Sequence, residues 1–205
     1  MATVTLISHT PDPENFIGHC ASICYDSPVS TESNLKRAAH CVDRGHLATL
    51  RFAWAVFNVS GISRACSHQF VRSKHLEFLQ RSQRYCKEGS QGFVYPGTAY
   101  DSAISSAYQS AMAHYNSLIE LGVKKEAARY VLPAGIETEL NVSGNLQAWR
   151  DFLKLRTDNA AQEEIRQVAL EIGRQLYIIA PRVFKEYGSV EGSKSPWHYD
   201  VPKTP

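Results

Sequence analysis

Apolar positions along the chain follow two periods, and together they predict most of the elements. Residues 4–7 (Val-Thr-Leu-Ile) form a short strand candidate, closed by a loop around Pro11 and Pro13. Ser30-Thr31-Glu32-Ser33 concentrates helix-capping residue types, so residues 35–43 are expected to be helical, with Gly45 as the stop. Residues 50–59 (LRFAWAVFNV) are rich in aromatic and β-branched side chains and nearly free of charge, which predicts a buried strand broken by Gly61. A helix is expected over 63–71. Residues 72–85 are polar and basic with weak periodicity, and 89–98 form a Gly/Pro/Ser loop. Helical spacing returns over 103–121, ended by Gly122, and over 124–132, ended by Pro133. Residues 137–142 are strand-like. Asn145 caps a helix running to 155, a long helix covers 161–180 up to Pro181, and the tail from 188 is loop-like.

The outcome is a mixed α+β chain with more helix than strand, and without repeats or an obvious linker. Its few strands are separated by helices, so the sheet is expected to be small and covered on one face. Strand order is not legible. A chain of 205 residues reads as one domain over 1–205. Burial of roughly 70% of the unfolded surface is expected at this size, so the core needs no metal or disulfide staple. A composition of 43% hydrophobic and 20% charged residues is ordinary for a globular protein. The net charge of +2 argues against a nucleic-acid or membrane surface while leaving room for a local basic cleft. The N-terminus lacks the pattern of a secretory signal, and no apolar run reaches the roughly 18 residues of a spanning helix. The five cysteines are odd in number and scattered, which fits reduced thiols in the cytoplasm.

Residues 68–85 hold the densest candidate chemistry. Within 18 residues they carry Arg72, Lys74, Arg81 and Arg84, two histidines, three glutamines and two serines. Arginine forks beside hydroxyl and amide groups suit a phosphate. The same composition also describes a solvated basic helix face, and composition alone leaves both readings open. GxGxxG, GxxxxGK[ST] and GxSxG are absent, which removes support for a dinucleotide fold, a P-loop and a nucleophile elbow. HExxH and CxxC are absent too, so no metal is expected. His19, Cys20 and Cys24 read as helix-borne buried cysteines more readily than as ligands.

At this segment the chain resembles the flavin-dependent thymidylate synthases. Their signature is Arg-His-Arg, seven residues, then Ser; here Arg72-Ser73-Lys74 is followed by residues 75–81 and Ser82. Gln83-Arg84-Tyr85 fits as well, as do Gly61-Ile62-Ser63-Arg64 and His68-Gln69 upstream. Gly45-His46, residues 127–133 (AARYVLP), Ser143-Gly144-Asn145-Leu146, Trp149-Arg150-Asp151-Phe152, Leu155-Arg156, Glu164-Ile165-Arg166 and Ala180-Pro181 continue the likeness in order. The resemblance implies a small, mostly antiparallel sheet covered by long helices. It also implies a homotetramer with FAD at subunit junctions, NADPH as reductant and 5,10-methylenetetrahydrofolate as one-carbon donor. The reaction it implies is C5-methylation of a uridine monophosphate without a cysteine nucleophile.

Carried over position by position, the resemblance puts Arg72, Ser73, Lys74, Gln80, Lys154 and Arg156, with His46, at the cofactor. It puts Gln69, Arg72, Gln80, Ser82, Arg84, Glu139 and Arg166 at the nucleotide. Arg166 is the catalytic candidate, polarising the uracil ring where negative charge builds on the N3–C4–O4 edge. Each has a plainer reading: Arg166 as a helix arginine paired with Glu163 or Gln162, Ser82 as a helix cap, and His46 as a satisfied core histidine.

The chain departs from the family at Ser73 and Lys74, which replace the signature His and second Arg, and at Glu77. It departs again at Arg51-Phe52, where Glu-His is common, and at Ala160, where a flavin-side His is common. Together these imply a rebuilt flavin and folate pocket. Glu139 stands where the family commonly has an arginine that touches the nucleotide. An ionised Glu only accepts hydrogen bonds and repels phosphate, so it suits a ribose 2′-OH. This makes the chain similar to the uridylate C5-methylases of nucleoside-antibiotic pathways such as polyoxin biosynthesis, which would accept UMP as well as or instead of dUMP. A catalytically silent flavin- or nucleotide-binding relative is the alternative, and the low net charge disfavours an RNA-binding module.

Overall fold

The computed structural model describes residues 2–89 and 92–188. The predicted tail from 188 therefore lies almost wholly outside the described residues. The elements run β1 (Thr3–His9), α1 (Pro13–Ser22), α2 (Thr31–Asp43), a 3₁₀ turn (Leu47–Phe52), β2 (Trp54–Ser63), α3 (Arg64–Phe70) and β3 (Leu76–Gln80). They continue with α4 (Asp101–Glu120), α5 (Lys125–Ala128), β4 (Glu137–Asn145), α6 (Leu146–Arg156) and α7 (Glu163–Ile179). The four strands form one sheet in the order β1-β2-β4-β3, with every pairing antiparallel. The expected α+β class with a small antiparallel sheet is what the chain adopts.

Alternation along the strands gives the sheet two unlike faces. Ala55, Phe57 and Val59 of β2 and Thr138, Leu140 and Val142 of β4 are buried on one face. Helices α3, α6 and α7 cover that face. Along α7 the buried residues Ile165, Val168, Ala169, Ile172 and Leu176 recur at helical spacing. Trp149 of α6 lies wholly buried, edge-on to Phe57 and Phe152, with its indole N–H donating to the Ala55 carbonyl at 3.1 Å. The other face carries Asn58, Glu139, Asn141 and an exposed Leu79. Asn145 ends β4 and caps α6, its side chain accepting from the Ala148 amide at 2.9 Å. Gly144 lets β3 approach closely, since a Cβ there would stand 2.3 Å from Leu76 Cδ2.

Several local expectations are corrected. The segment after Pro11 is helix α1 rather than a loop, because Pro13 sits in the first turn, where its missing N–H costs nothing. Residues 50–52 belong to the 3₁₀ turn, and β2 starts only at Trp54. Gly61 does not end β2: at φ 68° it takes the left-handed conformation within a bulge between Val59 and Ile62, and the strand continues to Ser63. The expected helix over 124–132 is one α-turn and a 3₁₀ turn (Arg129–Val131). The longest helix, α4, packs on α5 and that 3₁₀ turn instead of the sheet, and buries only Tyr115. Cys20 is half-buried and Cys24 exposed. Among the described residues no helix is long and apolar enough to cross a membrane.

Candidate active site

The basic segment is neither one helix nor a uniformly solvated face. It folds as the end of α3, an exposed turn, strand β3 and a second turn. Ser63 caps α3, its Oγ accepting from the Cys66 amide at 3.0 Å. The Ser63 amide and hydroxyl both donate to the carboxylate of Glu164, each at 2.7 Å. Glu164 is 4% exposed; burial pushes its pKa above the usual carboxylate range and the two Ser63 bonds pull it back.

Three helix ends converge on Gln69. Arg156, at the last turn of α6, donates from Nη2 to the Gln69 carbonyl at 2.8 Å. The Gln69 amide donates to the Gln162 side chain, just ahead of α7. Arg166, one turn into α7, pairs with Glu163 and donates to Asn159 Oδ1 at 3.2 Å. The plain helix pairing with Glu163 is thus present, but it does not saturate the guanidinium. Arg166 Nε is buried without a partner, and so are Arg156 Nε and Ser73 Oγ.

The turn after α3 exposes Arg72 and Lys74. His75, with φ 65°, swings the chain into β3. Gln80 points to the helix-covered face, donating to Ser67 Oγ at 2.8 Å and Thr138 Oγ1 at 3.2 Å. Ser82 is not a helix cap: its Oγ accepts from the Arg84 amide at 3.3 Å and so shapes a turn. Arg84 lies 3.5 Å from Glu126 and over the Tyr85 ring.

A cavity of about 390 Å³ opens between α3 and residues 132–136, lined by Arg64, His68 and Gln83 over an apolar floor that includes Leu132, Pro133 and Ile136. Arg64 Nη1 is buried without a partner. The Gln83 side chain is 8% exposed. Behind them lies Glu88, whose pKa burial raises while Arg81 and Arg64 lower it. The cavity therefore offers an unsatisfied guanidinium donor and positive charge, which suits an oxyanion.

Gln69, Arg72, Ser73, Gln80, Ser82 and Arg84 thus follow one another along α3, β3 and the turns after each, while Arg156 at the end of α6 bonds Gln69 and Arg166 stands on α7, just after the Gln162 that also bonds Gln69. Other expected residues lie apart. His46 is exposed, so the core-histidine reading falls; its amide bonds the Cys41 carbonyl at 2.8 Å and its ring lies 6.4 Å from His40. Lys154 is on the exposed side of α6. Glu139 is on the open sheet face, opposite Gln80, and accepts from Asn58 Nδ2 at 2.7 Å. Arg64, Gln83 and Glu164 fall inside the resembling motifs, yet nothing in the motifs reveals their roles, which depend on burial and on partners distant in sequence.

Comparison with known proteins bears directly on this constellation. The family model described as thymidylate synthase complementing protein matches residues 5–182. The chain belongs to the flavin-dependent thymidylate synthase family. The flavin-dependent thymidylate synthase of Geobacter sulfurreducens is 36% identical over 200 residues, covering 90% of this chain and 86% of that protein. Those of Mycobacterium marinum (34% over 198 residues, 85% and 79%) and Mycobacterium tuberculosis (35% over 188 residues, 80% and 75%) carry the same name. The matched span includes every candidate residue from Arg64 to Arg166.

Proposed function

We propose that this chain methylates C5 of a uridine monophosphate, taking the one-carbon unit from 5,10-methylenetetrahydrofolate and reducing power from NADPH through FAD, the reactants of its family. The observation that carries the reading is that Arg156 and Gln162 both bond Gln69 near the end of α3, the helix whose Arg64, with a buried and unpartnered Nη1, lines a cavity with His68 and Gln83. Arg64 and Gln83, which line the cavity, seat the phosphate, with Ser82 and Arg84 flanking Gln83 in sequence. Arg166 faces the uracil: Glu163 fixes its fork while Nε stays available for the electron-rich ring edge, and a permanently charged guanidinium stabilises that charge without losing its proton.

FAD fits the remaining donors. Arg72 and Lys74 present exposed cations, and Ser73 Oγ and Arg156 Nε are buried polar atoms still wanting a partner, a donor-rich set suited to pyrophosphate and flavin oxygens. When bound, the reduced flavin supplies the reducing equivalents of the methylation. Lysine at 74 keeps charge but loses the paired hydrogen-bonding geometry of arginine. A silent flavin-binding relative is the second reading, motivated by Ser73 and Lys74; bound flavin with no tritium release from 5-tritiated uridylate would mark it.

The ribose preference follows from Glu139. Asn58 occupies one carboxylate oxygen, and the other is left to accept a 2′-OH. Because Glu139 and Gln80 are on opposite faces of the sheet, Glu139 would reach a nucleotide presented by a second copy, in keeping with a homotetramer. Exposed Leu79, at 77%, lies on that same open face. Acceptance of UMP would place the enzyme with the C5-methylases of nucleoside-antibiotic pathways, and five unpaired cysteines suit a cytoplasmic setting. With UMP and dUMP at equal concentration, UMP is expected to be methylated at least as fast as dUMP. Glu139→Arg is expected to shift the ratio toward dUMP by about tenfold or more. A strong dUMP preference unchanged by Glu139→Arg overturns the ribose assignment.

A further inference from the structure

Glu164 is a buried ionisable group that the proposed reaction does not use. It has no cationic partner among the described residues, and burying a lone carboxylate is costly. A contact that merely held two helices together could be made by an apolar pair at less cost. The hydrogen-bond inventory explains the choice of residue. Ser63 presents two donors, its amide and its hydroxyl, and a carboxylate offers two acceptors. Glutamine would meet only one of them and turn an N–H₂ toward the other. Fixing the hydroxyl hydrogen on Glu164 also leaves a Ser63 lone pair facing the Cys66 amide, so one side-chain conformation serves both the α3 cap and the tether.

The tether is placed where the site is assembled. Two residues before Glu164, Gln162 takes the Gln69 amide; two residues after it stands Arg166. We infer that Glu164 is a positioning residue: through its double hydrogen bond to Ser63 it locks the start of α7 to the start of α3 and thereby fixes Arg166, two residues on, relative to α3 and its Gln69. The inference rests on the proposed methylation for its consequence, though not for the tether itself.

The test uses the full chain with Glu164→Gln, Ser63→Ala, Ser63→Thr and the Glu164→Gln/Ser63→Ala double variant. Two quantities are read: kcat and KM for uridylate, and amide hydrogen exchange of α3 and the first turn of α7 without nucleotide. Glu164→Gln and Ser63→Ala are each expected to lower kcat by about tenfold or more with KM moved less than about threefold, since misplacing a reacting group costs rate more than binding. The double variant should be no worse than the worse single by more than about twofold, because both break one link. Ser63→Thr, which keeps the hydroxyl, should restore kcat to within about twofold of the parent, and exchange in both helices should follow the same order. Unchanged kcat, a loss confined to KM, additive losses or failure of threonine to rescue overturns the assignment. If the parent methylates neither UMP nor dUMP, the functional reading falls, and exchange alone decides the tether: exchange unchanged in Glu164→Gln overturns it. Should Glu164→Gln fail to fold, the Ser63→Ala and Ser63→Thr pair carries the same decision.

Discussion

Arg166→Met is expected to lower kcat by about 100- to 1,000-fold, the usual loss when one preorganised donor at a developing negative charge is removed. Methionine suits the position: it is unbranched, a good helix former, and leaves α7 intact. The substitution does not strand its neighbour, because Glu163 still accepts from Gln167 Nε2 at 2.6 Å and remains partly exposed. Nucleotide KM should move much less than kcat, since in the proposed role Arg166 acts on charge that forms during the reaction while the phosphate is held elsewhere. Steady-state kinetics with uridylate at fixed NADPH and folate measures this, with flavin reduction by NADPH as the control that should stay near the parent rate. A kcat within about twofold of the parent would remove Arg166 from the chemistry and restore its plainer reading as a helix arginine paired with Glu163.

Arg64→Ala is expected to raise nucleotide KM by about 10- to 100-fold, because a hydrogen bond to a charged group is worth roughly 1.5–3 kcal/mol. Arg64 has a buried Nη1 with no partner and opens onto the same cavity as Gln83. Arg64→Lys should recover only part of the loss, since lysine restores charge without the fork. Removing Arg64 still leaves Arg81 beside the buried Glu88, at 3.9 Å, so the folded state is expected to survive. The informative control is uridine without its phosphate. If Arg64 reads the phosphate, the parent and Arg64→Ala should handle uridine alike, and the gap should appear only with the monophosphate. An equal loss on both substrates would place Arg64 elsewhere.

Long periodic segments were legible in the sequence. The α2, α4, α6 and α7 helices and the strands β1 and β4 follow from apolar spacing and from caps at Ser30 and Asn145. β3 was not, because its Leu76-Glu77-Phe78-Leu79-Gln80 sequence sits inside a basic stretch, and its inward and outward positions are defined only once it pairs with β4. Gly61 looked like a stop because a glycine in a strand can end it or bulge it, and the neighbouring strand settles which. At the candidate site, the signature spacing proposes Gln69, Ser82, Arg84 and Arg166 without their geometry. What it could not show was contact over distance: Glu164 meets Ser63 and Arg156 meets Gln69 across 101 and 87 residues. The two faces of β4 likewise separated Glu139 from Gln80, a division that sequence alternation hints at and pairing fixes.

The mass of the product decides whether this pocket holds a uridine monophosphate for methylation at C5. Purified protein supplied with FAD, NADPH, 5,10-methylenetetrahydrofolate and either UMP or dUMP is predicted to yield a nucleotide heavier by one methyl-for-hydrogen replacement, with loss of the C5 hydrogen. Flavin binding accompanied by no mass gain on either nucleotide, and by no tritium release from 5-tritiated substrate, would contradict it.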